Sequence, residues 1–207
     1  MEKKIDPVIY NKVLELNCGT GTDAIWMASK GFKVLATDIS TEMIRLAELK
    51  SGNHKQDIVP EFKPISFNGL GELKDKEFDV IFSNFGGLNC VDAGQIQALA
   101  MDANKLLRPG GKFIAVIMGR NCLLENVYFK LKNKKLQNRR KSKLPVTAVI
   151  SDVSFPIWYY APDEFAGLMK PWFTDPVLKP IGLFIPPSFM NNYFSKLNNA
   201  FLRYLIL

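Results

Sequence analysis

A glycine-rich turn between two apolar segments most constrains the fold of this chain. Residues 12–17, with the sequence KVLELN, have the pattern of a β-strand, and Gly19 and Gly21 follow directly. A helix-like stretch and a second apolar strand come next, and that strand ends at Asp38. Glycine permits the tight turn and the close backbone approach that nucleotide-binding strand–turn–helix units require. The pattern therefore predicts a βαβ unit with a nucleotide-binding turn.

Two kinds of nucleotide ligand fit such a turn. Residues 19–24, with the sequence GTGTDA, satisfy the loose form of the dinucleotide fingerprint, which is a weak signal by itself. Glu15 argues against a dinucleotide, because an acid within an apolar strand is costly to bury and would repel a pyrophosphate just beyond the turn. The same negative charge favours a ligand that carries a positive charge.

At these residues the chain resembles the class I S-adenosylmethionine-dependent methyltransferases. The first motif of that family has the form E-x-G-x-G-x-G, and residues 15–21 read ELNCGTG, with Asn17 in place of the first glycine. Asparagine tolerates left-handed backbone better than most residues, so this departure is compatible with the turn. The resemblance continues in residues 78–84, FDVIFSN, which match the family's fourth strand, and in residues 106–117, LLRPGGKFIAVI, which match its turn into the fifth.

The resemblance implies S-adenosyl-L-methionine as the cofactor and a Rossmann-like α/β fold. A doubly wound, mostly parallel sheet with helices on both faces is also what the alternation of strand and helix patterns predicts. Asp38 is expected to bind ribose hydroxyls, and its alternative role is to cap the next helix. The cofactor-binding positions that the resemblance implies are Glu15, Asn17, Cys18, Gly19, Gly21, Asp38, Ile39, Met43, Asn68, Gly69, Asn84 and Phe85.

The acceptor of the methyl group is interpreted as a small molecule, with oxygen, nitrogen or carbon as the receiving atom. The sequence identifies no catalytic base, and a methyl donor that is already activated does not require one. We expect the substrate to be contacted by Asn89, Arg120 and Tyr160.

A basic segment over residues 130–143 leaves a second function open. It contains eight lysine and arginine residues, more than the formal net charge of +7 of the chain. Such a run suits an RNA methyltransferase, because lysine and arginine neutralise phosphates. It lacks interleaved aromatic residues and a flanking recognition module, so we interpret it as a solvated loop. A non-catalytic binding protein with the same fold is a third alternative.

The whole chain is interpreted as a single domain over 1–207, with a cofactor-binding core at 12–118 and substrate-side elements at 119–207. No apolar run approaches the roughly 18 residues of a membrane span, and no signal peptide is recognisable, so we expect a cytoplasmic protein. The three cysteines and one histidine predict neither a disulfide framework nor a metal site. We expect a monomer or a homodimer.

Periodicity and capping signals predict the remaining elements. Helices are predicted at 22–30 with Thr22 as its cap, and at 40–50, 92–107, 124–131, 162–169 and 190–205. Strands are predicted at 12–17, 32–37, 61–66, 78–84, after Gly111, and at 146–150, 153–160 and 172–179.

Overall fold

The computed structural model describes residues 10–53, 57–73, 77–84, 86–120, 140–150 and 153–180. Strands and helices alternate through the first part of the chain: β1 (Lys12–Leu16), α1 (Thr22–Ser29), β2 (Lys33–Thr37), α2 (Thr41–Gly52), β3 (Glu61–Lys63), β4 (Phe78–Ser83), α3 (Ala93–Leu106) and β5 (Leu107–Ala115). Short 3₁₀ helices cover Phe67–Leu73 and Gly87–Cys90. The later elements are β6 (Val146–Ile150), β7 (Val153–Ile157) and α4 (Pro162–Met169).

Five of the strands form one parallel sheet in the order β3-β2-β1-β4-β5. The order reverses between β1 and β4, and such a switch point leaves a crevice at the carboxyl ends of the strands. Glu15 lies next to this end, paired with Ala36 of β2 on one side and with Phe82 of β4 on the other. The predicted doubly wound fold is confirmed.

Apolar side chains bury both faces of the sheet. On one face Val13 packs with residues of α1 and α2, and on the other Leu14 and Leu16 pack with residues of α3. A parallel sheet covered on both faces needs strands that are apolar at nearly every position. Glu15 interrupts this pattern on the side of α1.

The helices begin where the sequence predicts, but one cap differs. Ser40 caps α2 by accepting a hydrogen bond from the Met43 N–H (3.3 Å), and α3 begins with a reciprocal capping box between Asp92 and Gln95. The prediction that Thr22 caps α1 is wrong, because the cap position is Gly21 in a left-handed conformation. The Thr22 hydroxyl instead accepts a hydrogen bond from Lys50 Nζ (2.6 Å).

The Pro-Gly-Gly sequence lies inside β5 instead of ahead of it. Phe78 pairs with Leu107, but Val80 pairs with Lys112, so the segment between Leu107 and Lys112 bulges out of the ladder. Gly110 takes a positive φ of 78° in this bulge.

The later elements agree with the sequence in part. The strands β6 and β7 form an antiparallel pair, and α4 has its predicted bounds. The predicted strand at 172–179 is wrong: the structure has no strand there, and Pro176 in its middle cannot donate a ladder hydrogen bond. β3 is shorter than predicted.

Several expectations concern residues outside the described part of the chain. These are the helices at 124–131 and 190–205 and most of the basic segment. Within the described part, none of the helices combines the length and apolar character needed to cross a membrane.

Candidate functional site

The turn after β1 is held by its own backbone and by that of β2. The Cys18 N–H donates to the carbonyl of Thr37 (2.9 Å), and the Gly21 N–H donates to the carbonyl of Cys18 (2.9 Å). Asn17, Gly19 and Gly21 all adopt positive φ, at 49°, 53° and 71°. Asn17 therefore has the left-handed geometry expected of a residue in place of glycine.

The two glycines of the turn have different surroundings. A Cβ atom on Gly21 would lie 2.7 Å from Cε1 of Phe62 and 2.9 Å from Cβ of Ala47, so Gly21 permits α1 to begin against β3 and α2. A Cβ atom on Gly19 would meet no atom within 4 Å. Gly19 therefore borders open space in which a ligand can lie.

Asp38 joins the end of β2 to this turn. Its Oδ2 accepts a hydrogen bond from the Gly19 N–H (2.9 Å), and its Oδ1 accepts one from the Ser40 N–H (2.9 Å). Ser40, and not Asp38, is the cap of α2. A carboxylate offers about four acceptor positions, so Asp38 keeps capacity for a ligand's hydroxyl groups.

Glu15 is a buried acid directly beneath the turn. It is 2% exposed, the backbone N–H of Ala24 in α1 acts on its carboxyl group to lower its pKa, and its Oε2 has no hydrogen-bond partner. Burial, with the nearby negative charges of Asp23 and Asp38, raises the pKa of Glu15 to about 8 against the opposing effect of the Ala24 N–H. An unpaired buried carboxyl group is held neutral in this way.

A chain of polar side chains links the ends of β1 and β4. The Ser83 hydroxyl donates to Asn17 Oδ1 (2.6 Å), and Asn17 Nδ2 donates to the carbonyl of Asn84 (2.8 Å). Asn84 Nδ2 then donates to Asp23 Oδ2 in the first turn of α1 (2.7 Å). Ser83 and Asp23 were not among the predicted site residues, although Ser83 is a polar residue at a strand end and Asp23 is one beside the glycine turn.

Other predicted cofactor positions also lie near the carboxyl ends of β1 and β2. Ile39 and Met43 follow Asp38 and are 78% and 40% exposed. Burial, assisted by the negative charges of Glu15 and Asp38, raises the pKa of the Cys18 thiol to about 12, so this cysteine is an un-ionised thiol.

Asn68 and Gly69 lie in the 3₁₀ helix after β3, which packs against α3. The side chain of Asn68 is exposed. Phe85 is outside the described residues.

The three residues predicted to contact substrate are instead engaged with the protein. Asn89 is 0% exposed; its Nδ2 donates to the carbonyls of Met118 (3.0 Å) and Trp158 (2.6 Å), and its Oδ1 accepts from the Met118 N–H (2.7 Å). This uses its donors and leaves no free face, so we correct its role to a structural one.

Tyr160 and Arg120 also bind the later elements to the core. The Tyr160 hydroxyl donates to the carbonyl of Val91 (2.7 Å), and burial raises its pKa to about 12. Arg120 makes a two-pronged ion pair with Glu164 of α4, at 2.7 and 3.0 Å. As donors to protein groups, they do not face a substrate in this conformation.

A groove of about 420 Å³ lies at the amino ends of the strands, opposite the end that carries the glycine turn. Its lining includes Lys12, Lys33 and Phe78, which begin β1, β2 and β4. It is therefore distant from the glycine turn and belongs to the amino ends of the strands.

Known proteins with similar sequences are methyltransferases. A family profile described as a methyltransferase domain matches residues 13–111. The chain is 30% identical over 117 residues to a ubiquinone/menaquinone biosynthesis C-methyltransferase of Acidiphilium cryptum, covering 56% of this chain and 45% of that protein. It is 25% identical over 125 residues to a ubiquinone biosynthesis O-methyltransferase of Idiomarina loihiensis, covering 58% and 48%.

The chain thus spans about half the length of the curated relatives that it matches. Among solved structures, it resembles an S-adenosylmethionine-dependent methyltransferase of Methanosarcina mazei with a TM-score of 0.62 and 23% identity, covering 81% of this chain and 84% of the other. At that identity the likeness concerns the fold.

Proposed function

We propose that this chain is a class I S-adenosylmethionine-dependent methyltransferase that binds S-adenosyl-L-methionine at the carboxyl ends of β1 and β2 and methylates a small-molecule acceptor. The observation that carries the proposal is the glycine turn tied to a carboxylate: the Gly19 N–H donates to Asp38 Oδ2 at 2.9 Å, beside the open space above Gly19. This arrangement presents acceptor oxygens where a nucleoside can approach the backbone.

The residues around the turn fit an adenosyl ligand with a positively charged sulfur. Asp38 has acceptor capacity for ribose hydroxyls. Ile39 and Met43 provide exposed apolar surface next to it for a base. Asp23 and Glu15 place acidic groups on the side of α1, which suits a cation better than a pyrophosphate.

The chain's own contribution to the reaction is binding, orientation and exclusion of water. Bound S-adenosylmethionine supplies a methyl group that is already activated on a cationic sulfur. Asp38 and the turn fix the ligand's position, and the linked side chains of Asn17, Ser83 and Asn84 fix the two strand ends around it. No residue needs to store a proton for such a transfer, so alignment accounts for most of the acceleration.

We assign acceptor binding to the part of the chain after residue 118. Asn89 and Tyr160 fasten described elements of this part to the core, and the Arg120–Glu164 ion pair joins two of its segments. These contacts shape the acceptor side. Two relatives are named for methylating carbon and oxygen in quinone biosynthesis. Demethylated quinones and related phenols are therefore the first acceptors to assay, by the release of S-adenosylhomocysteine.

The cofactor assignment is tested by calorimetry with S-adenosylmethionine, S-adenosylhomocysteine and NAD. We expect the adenosyl ligands to bind and NAD to bind more weakly. The Asp38→Ala variant should lose at least about tenfold in affinity, because charged acceptors contribute about 1.5–3 kcal/mol per hydrogen bond. Equal or tighter binding of NAD would overturn the assignment.

Ser40→Ala is the matched control for Asp38→Ala. Asp38 also holds the Ser40 N–H, so its loss disturbs the start of α2 as well as the ligand site. Ser40→Ala removes the α2 cap alone. Affinity should therefore fall in the Asp38 variant and stay close to wild type in the Ser40 variant.

A further inference from the structure

Three carboxylates converge on the glycine turn from different elements. Glu15 comes from β1, Asp23 from α1 and Asp38 from the end of β2, and both aspartates act electrostatically on Glu15. The ion pairs among the described residues include none of the three. The described residues also contain no group of three side chains placed to hold a metal ion. Among the described residues, the acidic groups of this site thus form no ion pair with a lysine or an arginine.

Glu15 differs from its two acidic neighbours in its hydrogen bonding. Asp38 accepts two backbone N–H groups, and Asp23 accepts from Asn84. Glu15 Oε2 has no partner although its side chain is buried.

Within the turn itself, the titratable side chain that Glu15 influences is the Cys18 thiol, which is neutral. The residues paired with Glu15 in β2 and β4 are Ala36 and Phe82. Neither carries a charge.

We propose that Glu15 makes the site prefer the cationic donor S-adenosylmethionine to the product S-adenosylhomocysteine, because Glu15 gives up its proton when the positive charge binds. The inference rests on the proposed function. Donor and product differ by one methyl group and the positive charge on sulfur, so a charge-sensitive group beside the site can distinguish them. Buried and unpaired, Glu15 is the acid of this cluster most sensitive to a new cation.

The protons balance in a simple way. Burial raises the pKa of Glu15 to about 8, so the carboxyl group is mostly protonated at pH 7 before binding. A cation nearby stabilises the carboxylate, and the proton passes to the solvent. The ligand then brings one positive charge as one proton leaves. Donor and product carry the same amino and carboxylate groups, so the difference between them is the positive charge on sulfur. The product lacks that charge, so Glu15 keeps more of its proton in the product complex and the product is held less tightly.

Proton release is measured by calorimetry of the full chain at pH 7 in phosphate and in Tris, whose ionisation enthalpies differ. The dependence of the observed binding enthalpy on the buffer gives the number of protons released. We expect close to one proton for S-adenosylmethionine and clearly less for S-adenosylhomocysteine. We also expect the preference for the donor to increase from pH 6 to pH 8, as Glu15 becomes easier to ionise.

Glu15→Gln removes the titrating group and keeps an oxygen for the Ala24 N–H. The variant should release no such proton and should lose about tenfold of its preference for the donor, as expected when binding changes Glu15 from mostly protonated to mostly ionised at pH 7. The ligand's own amino group titrates in the same way with either protein, so the difference between the proteins isolates Glu15. Asp79 is a buried acid near the amino end of β4 that binds Arg108 and the backbone N–H groups of Asn11 and Lys12. The Asp79→Asn variant should leave the preference for the donor unchanged.

The outcomes separate this inference from the proposed function. If both ligands bind wild-type protein with equal proton release, or with none, Glu15 does not discriminate them and the inference fails while the cofactor assignment stands. If neither ligand binds, the proposed function fails and takes the inference with it. The wild-type measurement decides both questions even when the Glu15 variant does not fold.

Discussion

Glu15 and Asp38 are carboxylic acids at neighbouring strand ends, but their environments give them different tasks. Asp38 is half-buried, and each of its two carboxylate oxygens accepts a hydrogen bond from a backbone N–H group. Glu15 is buried with one oxygen unpaired. Asp38 is suited to hydrogen bonding of a ligand. Glu15 makes the stability of the free protein sensitive to pH.

We expect Glu15→Gln to stabilise the protein more at pH 8 than at pH 5. The pKa of Glu15 is raised from an ordinary value of 4.5 to about 8, so between these values the folded state binds more protons than the unfolded state. Folding stability therefore falls as pH rises through this window and is greatest below it. Glutamine mimics the protonated acid and escapes this loss, which amounts to about 3 kcal/mol over the window.

The measurement is urea unfolding of wild type and variant at both pH values. All other titrating groups are shared, so the change in the difference between the two free energies of unfolding belongs to Glu15. Parallel pH dependence of the two proteins would show that Glu15 is ionised in the folded state.

At the scale of elements, one buried asparagine joins three segments of the chain. Asn89 lies in the 3₁₀ helix after β4, and it binds Met118 after β5 and Trp158 after β7. The Trp158 N–H also donates to the carbonyl of Asn89 (2.7 Å). The β6–β7 pair lies outside the main sheet, and these hydrogen bonds hold the end of β7 against the segment that follows β4.

Asn89→Ala should reduce the free energy of unfolding by on the order of 3 kcal/mol. The substitution leaves the Met118 N–H and two carbonyls without partners in a buried place, and each buried unpaired group costs about 1–3 kcal/mol. Asn104→Ala is the control: its exposed side chain also donates to one backbone carbonyl, that of Trp172. Chemical denaturation should show less than about 1 kcal/mol for the control. Equal losses would remove Asn89 from this role.

Local sequence patterns predicted the elements whose cause is local. Apolar strands, the glycine turn and the starts of the helices near Ser40 and Asp92 depend on neighbours in the chain, and the structure has them where expected. Asn89 and Tyr160 were misassigned because a polar residue near a strand end can face either the crevice or the interior. Which side it faces depends on partners about 70 residues away, such as Trp158 for Asn89.

The bulge in β5 was missed for a related reason. Pro-Gly-Gly is a turn signal by composition, but β4 continues the ladder past it from Phe78 to Val80. The structure brings Glu15, Asp38 and Asn84 to the same end of the sheet. Their contacts with the cofactor stay predictions.

At the scale of the whole molecule, the basic segment is the feature that offers a different acceptor. The described end of this segment contacts the protein: the guanidinium of Arg140 lies 4.9 Å from the ring centre of Tyr159, the residue that follows Trp158. An arginine stacked on the protein's own tyrosine is partly occupied in a structural contact. This observation favours the small-molecule acceptor over RNA.

We expect no RNA binding at physiological salt. If the segment tracked phosphates, affinity for RNA oligomers would fall steeply with salt, and neutralising Arg139, Arg140 and Lys141 together would reduce the slope by about two to three units. Filter binding over a salt series measures this slope. Neutralising Lys12, Lys30 and Lys33 removes the same charge elsewhere and serves as the control. A steep slope with micromolar affinity, reduced only by the first set, would establish the RNA acceptor.

The two glycines of the turn are exposed to different evolutionary constraints. Position 19 has a positive φ but open space around it. A residue other than glycine there costs about 1–2 kcal/mol in backbone strain. Its side chain would also enter the space available to a ligand. Position 21 must also leave room for the Phe62 ring, so any side chain there displaces β3 or α2. Asn17 takes a positive φ of 49°, so the turn tolerates a residue with a side chain at one of its left-handed positions. Further drift of the motif is therefore open at position 19 once ligand binding is no longer selected, whereas folding alone retains glycine at position 21.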